Sequence, residues 1–103
     1  MTIRVLFMGV IAKITGQRDL LLPAEPTVTL RGVLDRLEAR YGPEFSHRVF
    51  RSDTPPRPLQ THTRIFLNGN VVDESMLDQP LSSGGEPGSA EVLIYLLPAA
   101  SGG

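Results

Sequence analysis

Glu91-Val92-Leu93-Ile94-Tyr95-Leu96-Leu97 decides the fold of this chain, because six of its seven residues are apolar. A strand of this composition is buried on both faces of a sheet, or it is buried on one face and exposes an apolar patch on the other. Pro98 follows directly and ends the run, since proline cannot donate to a strand ladder. We therefore predict that this segment is the central strand of a sheet.

The N-terminal segment, residues 3–8, is the predicted neighbour of that central strand. It presents two apolar faces, with Ile3, Val5 and Phe7 on one and Leu6 and Met8 on the other. We predict that it lies parallel to the last strand.

A second strand is predicted at residues 20–22, which are three consecutive leucines followed by Pro23. Thr15-Gly16-Gln17 predicts a turn before it. The first two strands are therefore expected to form a hairpin, and the intervening residues allow a connection longer than a tight two-residue turn.

The clearest helix signal lies in residues 30–41. Apolar residues recur there at the spacing of one helical face, at Leu30, Val33, Leu34, Leu37 and Tyr41. Thr29 is the predicted N-cap, and Gly42-Pro43 is a strong stop signal.

A second hairpin is predicted in the middle of the chain. Residues 64–67 form the third strand, Asn68-Gly69 is a strong signal for a tight turn, and Val71-Val72 is a short return strand. Next, three apolar residues are expected to anchor the chain to the core, namely Met76, Leu77 and Leu81.

The remaining segments are predicted to be irregular or short. Residues 44–50 indicate a short helical turn, and residues 51–63 a loop that is partly polyproline-like. Residues 82–89 are rich in Ser and Gly and predict a flexible insertion.

The predicted fold is α+β, a mixed sheet of four or five strands with one main helix packed on one face. Residues 1–97 are expected to form this domain, and residues 98–103 a flexible tail that leaves the end of the central strand. Six extended residues reach at most about 20 Å, which is long enough to enter the active site of another protein.

Composition restricts the functional classes. The chain has 103 residues, a formal net charge of -1 and no cysteine. This indicates one domain without disulfides, thiolate metal sites or a thiol nucleophile, and it gives no reason to expect nucleic-acid or membrane partners. No apolar run approaches the roughly 20 residues of a membrane span, and the N-terminus lacks a signal-peptide pattern, so we expect a cytoplasmic protein.

The last three residues, Ser101-Gly102-Gly103, carry the strongest functional signal. Backbone without Cβ can pass a narrow channel and approach a nucleotide or a nucleophile closely. A partner enzyme could adenylate the Gly103 carboxylate with ATP and then pass it to sulfur, an amine or a thiol. The alternative interpretation is a flexible end without function.

Four stretches in this order resemble the ubiquitin-like β-grasp sulfur carriers of the MoaD, ThiS and CysO type, over the whole chain. They are Ile3-Arg4-Val5-Leu6-Phe7, Thr29-Leu30 before Val33-Leu34-Asp35-Arg36-Leu37, Ile65-Phe66-Leu67-Asn68-Gly69, and Leu97-Pro98-Ala99-Ala100-Ser101-Gly102-Gly103. The pattern is closest to archaeal-type MoaD or CysO. An expanded turn at residues 84–92 and the Leu97-Pro98-Ala99 ending differ from MoaD-like chains. The pathway therefore stays open between molybdopterin, cysteine, thiazole and a specialised sulfur-containing metabolite.

The resemblance implies a protein co-substrate rather than an enzyme. An E1-like activating enzyme, bringing ATP, Mg²⁺ and zinc, would adenylate Gly103, and sulfur would convert Gly103 to a thiocarboxylate for a sulfur-accepting synthase. The chain itself would bind no cofactor or metal. The residues that the resemblance assigns to these partners, besides Gly103, are Gly102, Met8, Val71, Leu97, Pro98 and Ser101. The alternative is a ubiquitin-like modifier joined through Gly103 to lysines of target proteins, which begins with the same adenylate.

Other polar residues have simpler interpretations. His47 and His62 have no carboxylate or cysteine at ligand spacing, so surface or packing roles are expected. Asp73-Glu74 and Asp78 are expected in a solvated turn, and Ser82-Ser83 in a plain linker.

Overall fold

The computed structural model describes residues 2–25, 27–52, 54, 57–81 and 89–96. Five strands form one mixed sheet in the order β2-β1-β5-β3-β4. The strands are β1 (Thr2–Gly9), β2 (Asp19–Pro23), β3 (Thr63–Leu67), β4 (Asn70–Val71) and β5 (Ser89–Leu96). The helices are α1 (Val10–Thr15), α2 (Leu30–Tyr41) and α3 (Pro43–Val49), with a 3₁₀ turn at Glu74–Met76. The predicted α+β fold is confirmed.

Strand β5 is the central strand, as its apolar composition predicted. It pairs parallel with β1, from Thr2 with Ser89 to Gly9 with Leu96. On its other side it pairs antiparallel with β3. The strand begins at Ser89, so the prediction that Ser89 belongs to the flexible insertion was wrong. The expanded turn predicted at residues 84–92 was also wrong over residues 89–92, which lie in β5. Ladder pairing with β1 extends the strand beyond its apolar run, and composition alone does not show this. The rest of that insertion, residues 82–88, lies outside the described residues.

Helix α2 covers one face of the sheet, and its predicted face and caps are confirmed. Leu30, Val33, Leu34 and Leu37 are buried in one core with the inward side chains of β1 and β5. The Thr29 hydroxyl accepts a hydrogen bond from the Gly32 amide at 3.0 Å, which satisfies one of the amides left free at a helix start. Gly42, at φ 86°, ends the helix and allows Pro43 to begin α3.

The connection between β1 and β2 contains a helix that the sequence analysis did not predict. Val10–Thr15 forms α1, and Gly16 ends it in the left-handed conformation with φ 72°. Ile11 is fully buried beneath it. Four of the six residues are β-branched, which weakens any local helix signal, so we attribute this helix to burial of Ile11.

The second hairpin and its anchors are confirmed, except that the return strand β4 is Asn70–Val71 and not the predicted Val71-Val72. Asn68 and Gly69 both have positive φ, 51° and 88°, as a tight type I′ turn requires. β3 begins at Thr63, one residue before the predicted start. Leu77 and Leu81 are buried, and the Leu81 amide donates to the Val28 carbonyl at 3.0 Å.

Arg57 lies in the loop between α3 and β3 and binds this loop to helix α2. The Arg57 guanidinium donates to both carboxylate oxygens of Glu38 at 3.0 Å and to Asp35 at 3.3 Å. It also lies 4.2 Å from the ring centroid of Phe50. Bidentate pairing and stacking suit arginine and not lysine, so this contact holds the loop against the body of the domain.

The Arg57–Glu38 pair makes part of the stability dependent on pH. Hydrogen bonds from Arg57, and then from Ser46, hold the pKa of Glu38 below its usual value. A carboxylate with a depressed folded-state pKa stabilises the fold above its unfolded pKa, and this stability is lost as the pH falls through the folded value. We expect Glu38→Gln to lower the free energy of unfolding by about 1 kcal/mol at neutral pH.

The measurement is urea unfolding of both proteins across the acid range. The difference between wild type and Glu38→Gln should shrink steadily below about pH 4. Glu25→Gln is the control, because Glu25 is an exposed loop carboxylate. A difference that stays constant down to strongly acid pH would contradict this role for the pair.

Candidate functional site

The candidate site begins where β5 ends. Leu96, its last residue, is held on both sides, by pairing with Gly9 of β1 and with Thr63 of β3. The next residues, 97–103, lie outside the described residues, and so do the predicted site residues Leu97, Pro98, Ser101, Gly102 and Gly103. Leu96 is therefore the last described residue before the predicted tail, and we call Leu96 and its partners Gly9 and Thr63 the tail base.

Gly9 lies directly against Leu96 in this tail base. Its φ is 75°, and a Cβ on it would lie 2.7 Å from the Leu96 carbonyl oxygen and 3.1 Å from Tyr95 Cε1. Both the backbone conformation and the close approach require glycine. The same residue lets β1 end beside β5 and turn at once into α1.

We expect Gly9→Ala to lower the free energy of unfolding by about 3 kcal/mol, because it combines backbone strain with a backbone clash. Gly16→Ala is the matched control. Gly16 also has positive φ, 72°, but a Cβ there meets nothing within 4 Å. Gly16→Ala should lower the free energy of unfolding by only about 1 kcal/mol, because it introduces left-handed backbone strain without a clash. Chemical denaturation measures both, and equal costs would contradict the clash at Gly9.

An apolar surface lies on the side of the sheet opposite the buried core, and we call it the outer face. Ladder partners share a face, so the register connects Leu6 to Leu93, Leu93 to Phe66, and Phe66 to Val71. A second row pairs Met8 with Tyr95. The outer face is defined by Leu6, Met8, Phe66, Val71, Leu93 and Tyr95.

The structure brings two predicted partner residues, Met8 and Val71, onto this one face. Met8 is 49% exposed and Val71 is 59% exposed, while the four residues between them are half-buried. Four residues of this surface were not predicted from the sequence, namely Leu6, Phe66, Leu93 and Tyr95. The exposed Glu91, two residues before Leu93, was the available signal, since alternate residues of a strand share a face.

The acidic residues considered above have structural partners. Asp73 accepts from the Ser75 amide at 3.0 Å, Asp78 pairs with Arg31 at 2.7 Å, and Glu74 accepts from the Leu59 amide at 3.2 Å. His47 and His62 are both exposed. Within the described ranges, no three His, Asp or Glu side chains are grouped to hold a metal ion. No helix in that part of the chain is long and apolar enough to span a membrane.

Comparison with solved structures places the chain among β-grasp proteins. SAMP1 from Haloferax volcanii, a small archaeal modifier protein, matches with a TM-score of 0.74 and 17% identity, over 98% of this chain and 100% of that one. Urm1 from Trypanosoma brucei matches with a TM-score of 0.69 and 21% identity, over 97% and 95%. CysO from Mycobacterium tuberculosis matches with a TM-score of 0.68 and 22% identity, over 93% and 99%.

At these identities the comparison establishes the fold. No family model matches the sequence, and no curated protein matches it. The chain has the ubiquitin-like β-grasp fold, and the predicted resemblance to that group of small carriers and modifiers is confirmed at the level of structure.

Proposed function

We propose that this protein is a sulfur carrier whose Gly103 carboxylate is adenylated by a partner enzyme and converted to a thiocarboxylate. One observation carries the proposal: the tail starts from Leu96, which pairs with neighbouring strands on both sides. The sequence from there to Gly103 has seven residues, which reach at most about 25 Å when extended. The domain fixes the start of this tether, and a partner that binds the domain would position the reactive atom at its end.

The proposed reaction takes place in the partner. The Gly103 carboxylate attacks the α-phosphate of ATP, forming an acyl-adenylate and releasing pyrophosphate. A persulfide of the partner system then attacks the acyl carbon, AMP leaves, and an acyl disulfide links Gly103 to the donor. A thiol of the partner system attacks the donor-side sulfur of that bond, which releases Gly103 as a thiocarboxylate and leaves the partner's two sulfurs as a disulfide. The bare backbone of Gly102 and Gly103 allows this carbon to approach the nucleotide closely. The carrier contributes positioning to this reaction.

The outer face is the proposed docking surface for the activating enzyme and for the sulfur acceptor. It adjoins the tail base, because Tyr95 precedes Leu96 and pairs with Met8. Exposed apolar side chains grouped on one face are typical of a protein-binding surface. A partner that covers this face would hold the tail base at a constant distance from its own active site.

The experiment is ATP–pyrophosphate exchange by the host's adenylating enzyme, with and without the purified chain. Exchange should depend on the chain and stop when hydroxylamine removes the activated acyl group, leaving a hydroxamate on Gly103. Mass spectrometry of the C-terminal peptide locates that hydroxamate. Exchange that does not require Gly103, or a hydroxamate on an Asp or Glu side chain, would contradict the proposal.

A protein modifier joined through Gly103 to target lysines is the second candidate. It is supported by the structural likeness to a protein named a small archaeal modifier. Both functions begin with the same adenylate, so the product distinguishes them. Immunoblotting of the native host should show free protein for the carrier and a ladder of high-mass conjugates for the modifier. Lys13 is the chain's only lysine, so polymers through lysine side chains could form only there.

A further inference from the structure

A depression of about 580 Å³ lies beside the tail base, between the end of β1 and helix α1. The residues that matter for its chemistry are Met8, Gly9, Lys13 and Arg18. Two of these are cations, and the lining contains no acidic residue. The depression is therefore positively charged, in a chain whose net charge is -1.

Hydrogen bonds fix the wall of the depression between α1 and β2. The Thr15 hydroxyl donates to the Gln17 carbonyl at 3.0 Å, and the Tyr41 hydroxyl donates to the Gln17 side chain. The Phe7 amide donates to the Arg18 carbonyl at 2.9 Å. These contacts tie the wall to helix α2 and to β1, so the depression exists before any partner binds.

The two cations of the depression differ from four of the nine arginines of this protein. Arg4, Arg31, Arg51 and Arg57 each form an ion pair with a carboxylate. Lys13 and Arg18 are exposed, and neither is paired with a carboxylate in the part of the chain that the structure describes. Their charge is therefore available to a ligand.

The depression is continuous with the outer face. Met8 lines the depression and also pairs with Tyr95 on the outer face. A protein that covers the outer face near the tail therefore reaches Lys13 and Arg18 as well. Its groups opposite these cations must be anionic for the contact to be favourable.

We propose that the depression receives an acidic segment, containing Asp or Glu, of the activating enzyme that docks on the outer face. This rests on the proposed carrier function. Two exposed cations attract such a segment over a distance of about one Debye length, so they raise the rate of productive encounter and align the domain as it docks. The apolar outer face then supplies most of the affinity, and the cationic depression selects among partners by charge.

The test is steady-state charging of Gly103 by the host's adenylating enzyme, with the chain as the varied substrate. Lys13→Glu and Arg18→Glu should each raise KM by about 3- to 10-fold with kcat unchanged, because attraction is replaced by repulsion. The increase should diminish between about 50 mM and 500 mM salt, where screening removes surface electrostatics. Lys13→Arg keeps the positive charge, so its KM should equal that of wild type.

Arg36→Glu is the matched control. It makes the same change of charge at an exposed position, where Arg36 contacts the Pro23 carbonyl at the far end of the β1–β2 hairpin. A KM for Lys13→Glu and Arg18→Glu equal to that of wild type, or raised no more than in Arg36→Glu, would overturn the proposal while leaving the carrier function intact. Failure of the wild-type chain to be charged would overturn the carrier function itself. Thermal melts confirm that each variant is folded.

Discussion

Deleting Gly103, or adding one residue after it, is expected to abolish charging of the chain while leaving thermal unfolding unchanged. Either change moves the carboxylate by about 3.3 Å, and a misplacement of only 1 Å can reduce an enzymatic rate by about 100-fold. Stability should not change, because terminal residues beyond the last strand of a domain generally add little to its stability.

The measurement is hydroxamate formation on the C-terminal residue by the host's adenylating enzyme, together with calorimetry. Gly103→Ala is the matched control, since it keeps the length and the carboxylate but adds one methyl group. We expect this control to retain partial activity. A truncated or extended chain that is charged at the wild-type rate would show that the position of the terminal carboxylate is unimportant.

Introducing a carboxylate on the outer face is expected to have the second-largest effect. Met8→Asp and Val71→Asp should each weaken binding of the adenylating enzyme by about 10-fold or more, because a charge would be buried in an apolar contact. Both side chains are about half exposed in the free protein, so the fold should tolerate these changes.

Leu21→Asp is the control for this surface. Leu21 is 66% exposed, and its ladder partner is Arg4, towards the end of the sheet away from the tail. Isothermal calorimetry should show a smaller loss of affinity for the adenylating enzyme in this variant than in Met8→Asp and Val71→Asp. Equal losses from all three variants, or none from any, would remove the outer face near the tail from the proposed interface.

The central position of the last strand and its parallel pairing with the first could be predicted, because this strand has an unusual composition. A run with six apolar residues of seven must be buried, and β5 is the middle strand of the five. The main helix followed from its apolar spacing together with Thr29 and Gly42. These signals are local in the sequence and strong enough to decide the structure alone.

Features that depend on contacts between distant residues could not be predicted. Helix α1 has a weak local signal, and Ile11 becomes buried only when the sheet and α3 are in place. Gly9 shows no special feature in the sequence, and its need for glycine arises from the Leu96 carbonyl nearby. Lys13 and Arg18 come to line the same depression only after α1 has formed.

The predicted site residues fall into two groups, those that the structure describes and those that lie outside the described residues. Met8 and Val71 were expected to meet partners, and the strand register places them on one face although 63 positions separate them in sequence, from 8 to 71. The roles of Leu97, Pro98, Ser101, Gly102 and Gly103 stay predictions, because these residues lie outside the described part of the chain. Their chemistry is tested by the variants at Gly103.

Intact-mass spectrometry of the protein isolated from its native host, without reducing or alkaline treatment, is the decisive test of whether Gly103 carries sulfur. We expect a chain ending at Gly103, with a second species heavier by the exchange of one oxygen for sulfur. Fragmentation should place that sulfur on the last residue. A chain that continues beyond Gly103, or one that never carries sulfur when the host's sulfur metabolism is active, would show that this protein is not a sulfur carrier.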